Sequence, residues 1–369
     1  MICGIINISL DIYTKPEYFY SGFFIMKNVD YIIVGDGYAG LFFAHQLIQN
    51  NKSFIIFSEK KKSASQVSAG IINPVVLKKF TTFWLAQEQI NTLKRTLLEI
   101  ESYTGRNYLI DKPIHRVFHD ENEQKLWVKK SDHLELQNFL NKKFQSLEGI
   151  NNPFSTGIVN QSARLDVSNF FNDFFNYFED KGNLINEKFD YDSLDVSGSE
   201  YKGIRFKNIV FCEGMGVMKN PYFSDIAVIP NKGHHIRVKL SEKISTVDTI
   251  KKKHFLFPID NGLYFYGGTY DREQLHHEID DSAVDQLLRG LSEVYPYDFK
   301  IQEVNFGFRP TVKDRRPIIG SHSEYSNMYV FNGLGARGIL NGCYFSGSLY
   351  QLIEKGIPLP DEVALKRFT

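Results

Sequence analysis

Tyr31-Ile32-Ile33-Val34-Gly35-Asp36-Gly37-Tyr38-Ala39-Gly40 opens the stretch that decides the fold, and that stretch runs on to Glu59. The apolar run at 31–34 predicts a strand. Leu41 to Gln49 carries helical apolar spacing, and Phe54-Ile55-Ile56-Phe57 predicts a second strand ending in Ser58 and Glu59. Strand, glycine turn, helix, strand and acid in this order form the first half of a dinucleotide-binding βαβ unit. Gly35 allows a sharp turn off the strand. Gly37 lets the backbone approach a pyrophosphate, and Gly40 lets the helix lie close to the sheet. The helix N-terminus offers free N–H groups and partial positive charge to the phosphates. A carboxylate that holds a ribose hydroxyl is expected about 20 residues after the glycines, and Glu59 stands 19 residues after Gly40.

Composition bounds what this unit belongs to. A chain of 369 residues predicts two domains, or one large α/β domain carrying an inserted one. Lys+Arg 43 balances Asp+Glu 43, so no net field draws nucleic acid or an acidic membrane. The lysine runs 60–62 and 251–253 read as solvated edges. Cys3, Cys212 and Cys343 are too few and too scattered for a disulfide framework or a metal site, which points to a reducing, cytoplasmic compartment. No apolar run approaches the roughly 20 residues of a membrane span, and no basic-then-apolar leader stands at the start. Residues 1–25 do not fit the pattern that follows, and Met26 runs straight into the first strand. They are expected to be an N-terminal extension, possibly disordered.

Further along, Trp84–Tyr103 has helical spacing, Tyr108–Phe118 reads as a strand pair broken at Pro113, and Glu123–Phe144 reads as a second helix. The aromatic helix Phe170–Phe178 is expected in the core. Strands are expected at Leu184–Phe189, Tyr201–Arg205 and Asn208–Gly214, the last ending near the cofactor crevice. Residues 221–305 alternate as antiparallel β, with strands at His235–Leu240, His254–Pro258 and Leu263–Gly267 and a helix at Ser282–Tyr295. The C-terminal sixth holds Gly307-Phe308-Arg309-Pro310, then a strand at Met328–Phe331. That strand enters a second glycine turn, Gly333-Leu334-Gly335-Ala336-Arg337-Gly338-Ile339-Leu340, and a long helix.

These segments, in this order, resemble the FAD-dependent D-amino-acid oxidase/glycine oxidase superfamily. The matches are the turn at 35–40, Ser68-Ala69-Gly70-Ile71, Phe211-Cys212-Glu213-Gly214, Gly267-Gly268-Thr269, the segment around Arg309 and the second glycine turn. The resemblance implies an α/β (α+β overall) fold: a Rossmann-type FAD-binding domain (26–80, 150–220 and 306–369) interleaved with an antiparallel-sheet substrate domain (81–149 and 221–305). It implies that Gly35, Gly37, Tyr38, Ala39 and Gly40 hold the FAD pyrophosphate, with Glu59 on the adenosine ribose. Ser68, Ala69 and Gly70 would line the flavin ring, Gly214 the pyrophosphate side, and Phe189 would meet adenine through its backbone. Gly333, Gly335, Ala336, Gly338, Ile339 and Leu340 would bring N–H groups and a helix N-terminus to the flavin pyrimidine edge.

Arg309 matches the position that holds the substrate carboxylate. A guanidinium pairs with a carboxylate through two parallel hydrogen bonds. Arg337 is implied as a second anionic contact, whereas Arg315 and Arg316 read as surface charges. Pro310 stands where one branch of the superfamily carries the cysteine that attaches its flavin, so FAD is expected to be non-covalent. Asp36 places a carboxylate inside the pyrophosphate turn and is expected to point away from the phosphates or bind water. Ser58 stands where many relatives carry the acid, one residue before Glu59.

The implied reaction is oxidation of the C–N bond of an amino acid or secondary amine, with hydride passing to flavin N5 and the imine hydrolysing to an oxo acid. Electrons would go on to O2 or another acceptor. His234, His235, Tyr264, Tyr266 and Tyr270 are candidate pocket walls. Two alternatives are an RNA-modifying flavoenzyme like the one acting on methylaminomethyl-uridine in tRNA, and a flavin-binding protein without turnover. Balanced charge argues against a nucleic-acid partner.

Overall fold

The structure, a computed structural model, describes residues 27–59 and 61–368. The expectation for residues 1–25 therefore lies outside the described residues. Six α-helices occur among those described: α1 (Tyr38–Gln49), α2 (Ala86–Thr104), α3 (Glu121–Ser131), α4 (Val167–Asp180), α5 (Asp281–Val294) and α6 (Gly338–Lys355).

The first sheet is built on strand Lys27–Val34, which lies between Phe54–Phe57 and Ile204–Phe211, parallel to both. Leu184–Ile185 extends the sheet beyond Phe54–Phe57, and Met328–Asn332 extends it, also parallel, beyond Ile204–Phe211. Residues 31–34 read as an unbroken apolar run because both sheet faces are covered: Tyr31, Ile32 and Ile33 have no exposed surface. One face packs on α1 and α6. There Gly338 lies against the Tyr38 ring and Gly342 against Phe42, so the rings of α1 seat directly on the bare backbone of α6. The aromatic residues of α4 go to the core as expected, with Phe170, Phe171, Phe174 and Phe178 buried and Phe170 in ring contact with both Tyr38 and Phe42.

The second, eight-stranded sheet runs in the order Phe299–Thr311, Ile229–Leu240, Tyr264–Gly267, Phe255–Pro258, Thr249–Lys251, Ile114–Val117, Thr156–Val159, Leu140–Gln145. Every pairing is antiparallel except that of Thr249–Lys251 with Ile114–Val117. One face is apolar and packs on α5 through Ile236, Val238, Leu256, Tyr266, Leu287 and Leu291. Burying such side chains contributes about 1.5–3 kcal/mol each. The opposite face carries Gly233, His235, Phe265 and Arg309 and looks back at the glycine turns.

Three expected elements differ. The helix expected over 123–144 stops at Ser131, and Leu140–Gln145 is an edge strand with Leu140 opposite Val159 and Phe144 opposite Gly157. Leu136, Phe139 and Leu140 imitate a helical stripe, but their burial is satisfied by a turn that leads into the strand. The strand expected over 184–189 is only Leu184–Ile185, after which the chain leaves the sheet to bury Phe189 face to face on Tyr201, with centroids 4.1 Å apart. The strand expected over 201–205 is a hairpin. Lys202 and Gly203 both take positive φ, the two-residue turn whose twist suits a β-ribbon, and Tyr201 pairs with Ile204.

Candidate active site

The first strand delivers Gly35 to the sheet edge with φ 110°. A Cβ there would come within 3.0 Å of the Cys212 carbonyl oxygen, so the ends of the two central strands close up only around glycine. At Gly40 a Cβ would come within 3.0 Å of the Gly35 oxygen, which seats α1 on its own turn. Gly37 is the N-cap of α1. Gly37 has no side chain to cap that end and no acid stands in its first turn, so the N–H groups beyond Tyr38 and the positive dipole end are available to an anion. Ser65 Oγ accepts from the Tyr38 N–H at 3.2 Å, and the Tyr38 hydroxyl lies 2.8 Å from Ser68 Oγ. These contacts fold the loop carrying Ser68, Ala69 and Gly70 back over the turn.

The second glycine turn reaches the same place from the far end of the chain. Asn332 Nδ2 donates to the Gly214 carbonyl at 2.8 Å, and Asn332 Oδ1 accepts from the Gly333 N–H at 2.8 Å. One side chain thus ties two strand-end glycines together. The N-terminus of α6 follows, also without a side-chain cap.

Between these turns and the second sheet lies one continuous cavity of about 1030 Å³. Its walls include Gly35, Gly37, Tyr38, Ala39, Glu59, Ser68, Ala69, Gly70, Phe189, Gly214, Arg309, Gly335, Ala336, Gly338 and Ile339. Gly40, Gly333, Leu340 and Arg337 do not line it. Gly40 and Gly333 (φ 70°) shape the backbone behind the wall, and Leu340 is buried in the core. The Arg337 guanidinium lies over the Phe83 ring at 4.6 Å. Of the other candidate walls, His234, His235 and Tyr270 line the cavity, whereas Tyr264 and Tyr266 do not.

Arg309 is placed by the register of the two longest strands, which sets it opposite Asn231. Its Nη1 donates to Asn231 Oδ1 and to the Thr269 carbonyl, both at 3.1 Å, and the guanidinium stacks on the Tyr270 ring at 4.5 Å. No carboxylate among the described residues lies within ion-pair distance of it. Burial lowers its pKa, offset in part by Tyr270. Two histidines share this wall. His235 stacks on Phe265 at 4.6 Å, and His254 Nδ1 lies 3.0 Å from the Gly268 carbonyl. Burial pulls the pKa of each down to about 4.

Lys251 also lines the cavity, and its ammonium sits 4.4 Å above Phe255. Burial and, secondarily, Arg116 pull its pKa down to about 7. The run 251–253 is therefore not simply a solvated edge. Asn231, Asn332 and Lys251 were not legible in advance. Asn332 stands beside Gly333 and carried a local signal, but the others owe their place to cross-strand register alone.

The donor set fits a flavin dinucleotide. Two helix N-termini whose N-cap residues make no side-chain cap, and a backbone bare of Cβ atoms at Gly35, Gly37, Gly214 and Gly335, flank one elongated cavity. Cys212 and Cys343 are buried thiols whose pKa values burial raises. Among the described residues no helix is long and apolar enough to cross a membrane.

A family model described as FAD dependent oxidoreductase matches residues 30–349. The tRNA 5-methylaminomethyl-2-thiouridine biosynthesis bifunctional protein of Leptospira borgpetersenii is 29% identical over 208 residues, covering 47% of this chain and 32% of that protein. The chain thus spans about a third of the length of the curated relatives it matches. In fold it is similar to glycine oxidase from Geobacillus kaustophilus (TM-score 0.74, 17% identity, 89% of this chain and 95% of that one). It is also similar to iminodiacetate oxidase from Chelativorans sp. BNC1 (TM-score 0.75, 17% identity, 90% and 97%).

Proposed function

The chain belongs to the family of FAD-dependent oxidoreductases, and on that premise we propose that it oxidises the C–N bond of an amino acid or secondary amine whose carboxylate docks on Arg309. The observation that carries this reading is the Arg309 guanidinium itself. It is held in place by Asn231, the Thr269 carbonyl and Tyr270, it faces the cavity, and it has no acid partner among the described residues. A cation in such a site is satisfied by an anionic ligand.

FAD, when bound, supplies the two-electron acceptor for a hydride. The chain's own contribution is orientation and electrostatics. Arg309 fixes the carboxylate, which leaves the adjacent C–H no freedom to turn away. His235 and His254 stay neutral at pH 7, because their pKa values lie near 4, and so place no positive charge against the amine. The substrate loses a hydride from carbon while its nitrogen lone pair forms C=N, and water then converts the imine to an oxo compound and a free amine. Electrons leave for O2 or another acceptor. We read the second sheet as the substrate-facing unit and the first as the cofactor-facing one.

The test is anaerobic mixing of the holoprotein with a panel of amino acids, secondary amines and carboxylate-free amines, followed by bleaching of the flavin absorbance. Reduction confined to carboxylate-bearing amines is expected. Reduction by carboxylate-free amines at the same rate would refute the reading.

A second reading follows from the relatives that act in tRNA 5-methylaminomethyl-2-thiouridine biosynthesis: the amine is carried on a tRNA wobble uridine. Lys61, Lys62, Lys188, Lys219, Lys251 and Lys253 stand around the cavity and favour it. Retention of tRNA that falls with rising salt would support it.

A further inference from the structure

Four carboxylates line the cavity: Asp36, Glu59, Glu187 and Glu213. Their commitments differ. Glu187 is exposed and its Oε1 is paired with the Lys202 ammonium. Glu213 has both oxygens engaged, Oε1 by the Tyr191 hydroxyl and Oε2 by Asn220 Nδ2 at 2.7 Å. Glu59 Oε2 lies 2.8 Å from Lys61 Nζ, and its side chain is 41% exposed. Asp36 is buried, at 9% exposure, and its Oδ2 accepts from Ser58 Oγ at 2.7 Å. The groups that act on its charge are Ser58, its own backbone N–H and Glu59, none of them a cation.

The register explains how Asp36 and Ser58 meet. Val34 stands opposite Phe57, so Asp36, just past the first strand, and Ser58, just past the second, emerge side by side at the same sheet edge. The tip of the second strand is where a dinucleotide fold offers its acid to a ribose diol. Here a serine holds that place, and its hydroxyl presents a carboxylate reaching across from the glycine turn. We infer that Asp36, oriented by Ser58, receives the adenosine ribose hydroxyls of FAD in place of an acid at the end of the second strand.

The ligand chemistry fits a neutral vicinal diol. A buried carboxylate without a cation needs donors, and two hydroxyls supply them without adding charge. A phosphate at the same oxygens would set anion against anion. The pyrophosphate instead has the N-terminus of α1, which begins two residues further on behind a glycine N-cap. Burial raises the Asp36 pKa, and the Ser58 hydroxyl offsets part of that rise.

The test is cofactor affinity rather than turnover. Full-length protein stripped of FAD is titrated with FAD and with an FAD analogue carrying 2′,3′-dideoxyadenosine, and quenching of flavin fluorescence is followed. Asp36→Asn should weaken FAD binding roughly 10- to 100-fold, as loss of charge-assisted hydrogen bonds does, while binding the analogue as wild type does. Glu59→Gln should stay within about threefold of wild type for both.

Ser58→Ala adds neither charge nor bulk and serves if Asp36→Asn does not accumulate folded. It should lose FAD affinity by a smaller factor and leave the analogue unaffected. Equal losses for FAD and analogue, or a loss in Glu59→Gln while Ser58→Ala matches wild type, would overturn the inference. It rests on the family's cofactor and not on the amine reading, and no substrate enters the titration, so each stands or falls separately.

Discussion

Replacing Arg309 with methionine keeps the apolar stem and removes the guanidinium. In the wild type Nη1 is spent on Asn231 and the Thr269 carbonyl, which leaves Nε and Nη2 for a ligand. Two charge-assisted bonds to a carboxylate contribute roughly 1.5–3 kcal/mol each. Arg309 is only half-buried, so water takes back part of that, and about 2–4 kcal/mol remains. The expected loss is roughly 30- to 1,000-fold in affinity for carboxylate ligands. Arg309→Lys should fall in between, because an ammonium matches one oxygen and not the planar fork. The assay is perturbation of the flavin absorbance by a simple carboxylic acid and by its amide, followed by anaerobic reduction with the best amine. The amide should bind equally weakly to both proteins. A carboxylic acid that binds wild type and Arg309→Met with the same Kd would remove Arg309 from the site.

Three further outcomes follow from the geometry. Gly40→Ala places a Cβ within 3.0 Å of the Gly35 oxygen and should destabilise by about 1–3 kcal/mol, seen as a lower urea midpoint; an unchanged midpoint would show that the turn has slack. The His235 and His254 pKa values are depressed to about 4, below an unfolded value near 6.5. The unfolded chain therefore binds more protons between pH 6.5 and 4, and stability falls as pH falls through that window, each histidine contributing on the order of 1 kcal/mol per pH unit. Urea unfolding of His235→Gln should show a shallower decline than wild type between pH 7 and 5. Lys251, with its pKa lowered to about 7, is charged in the unfolded chain up to about 10.5, so its burden on the fold lessens as pH rises from 7 to 10. Lys251→Met should be the more stable protein at pH 7, by about 1 kcal/mol given a half-buried site, and the gap should close by pH 10. A constant gap would place the ammonium in water.

The sequence alone determined what is local. The strand–glycine–helix–strand order at 31–59, the second glycine turn at 333–340 and the aromatic core face of α4 are each written in residues a few positions apart, where backbone geometry and period decide the outcome. Family motifs in order gave the cofactor and placed Arg309. Segments whose periodicity suits either state misled, as at 136–140, where a helical stripe serves a turn and an edge strand. What tertiary structure decided is who meets whom across long separations. Register brings Asn231 and Thr269 to Arg309, Asn332 ties Gly214 to Gly333, and Arg337 turns to Phe83 instead of lining the cavity. The same holds at the first turn. Sequence spacing pointed to Glu59, but parallel pairing of Val34 with Phe57 sets Asp36 against Ser58, because strands aligned by their hydrogen bonds bring together residues that the chain keeps 22 positions apart.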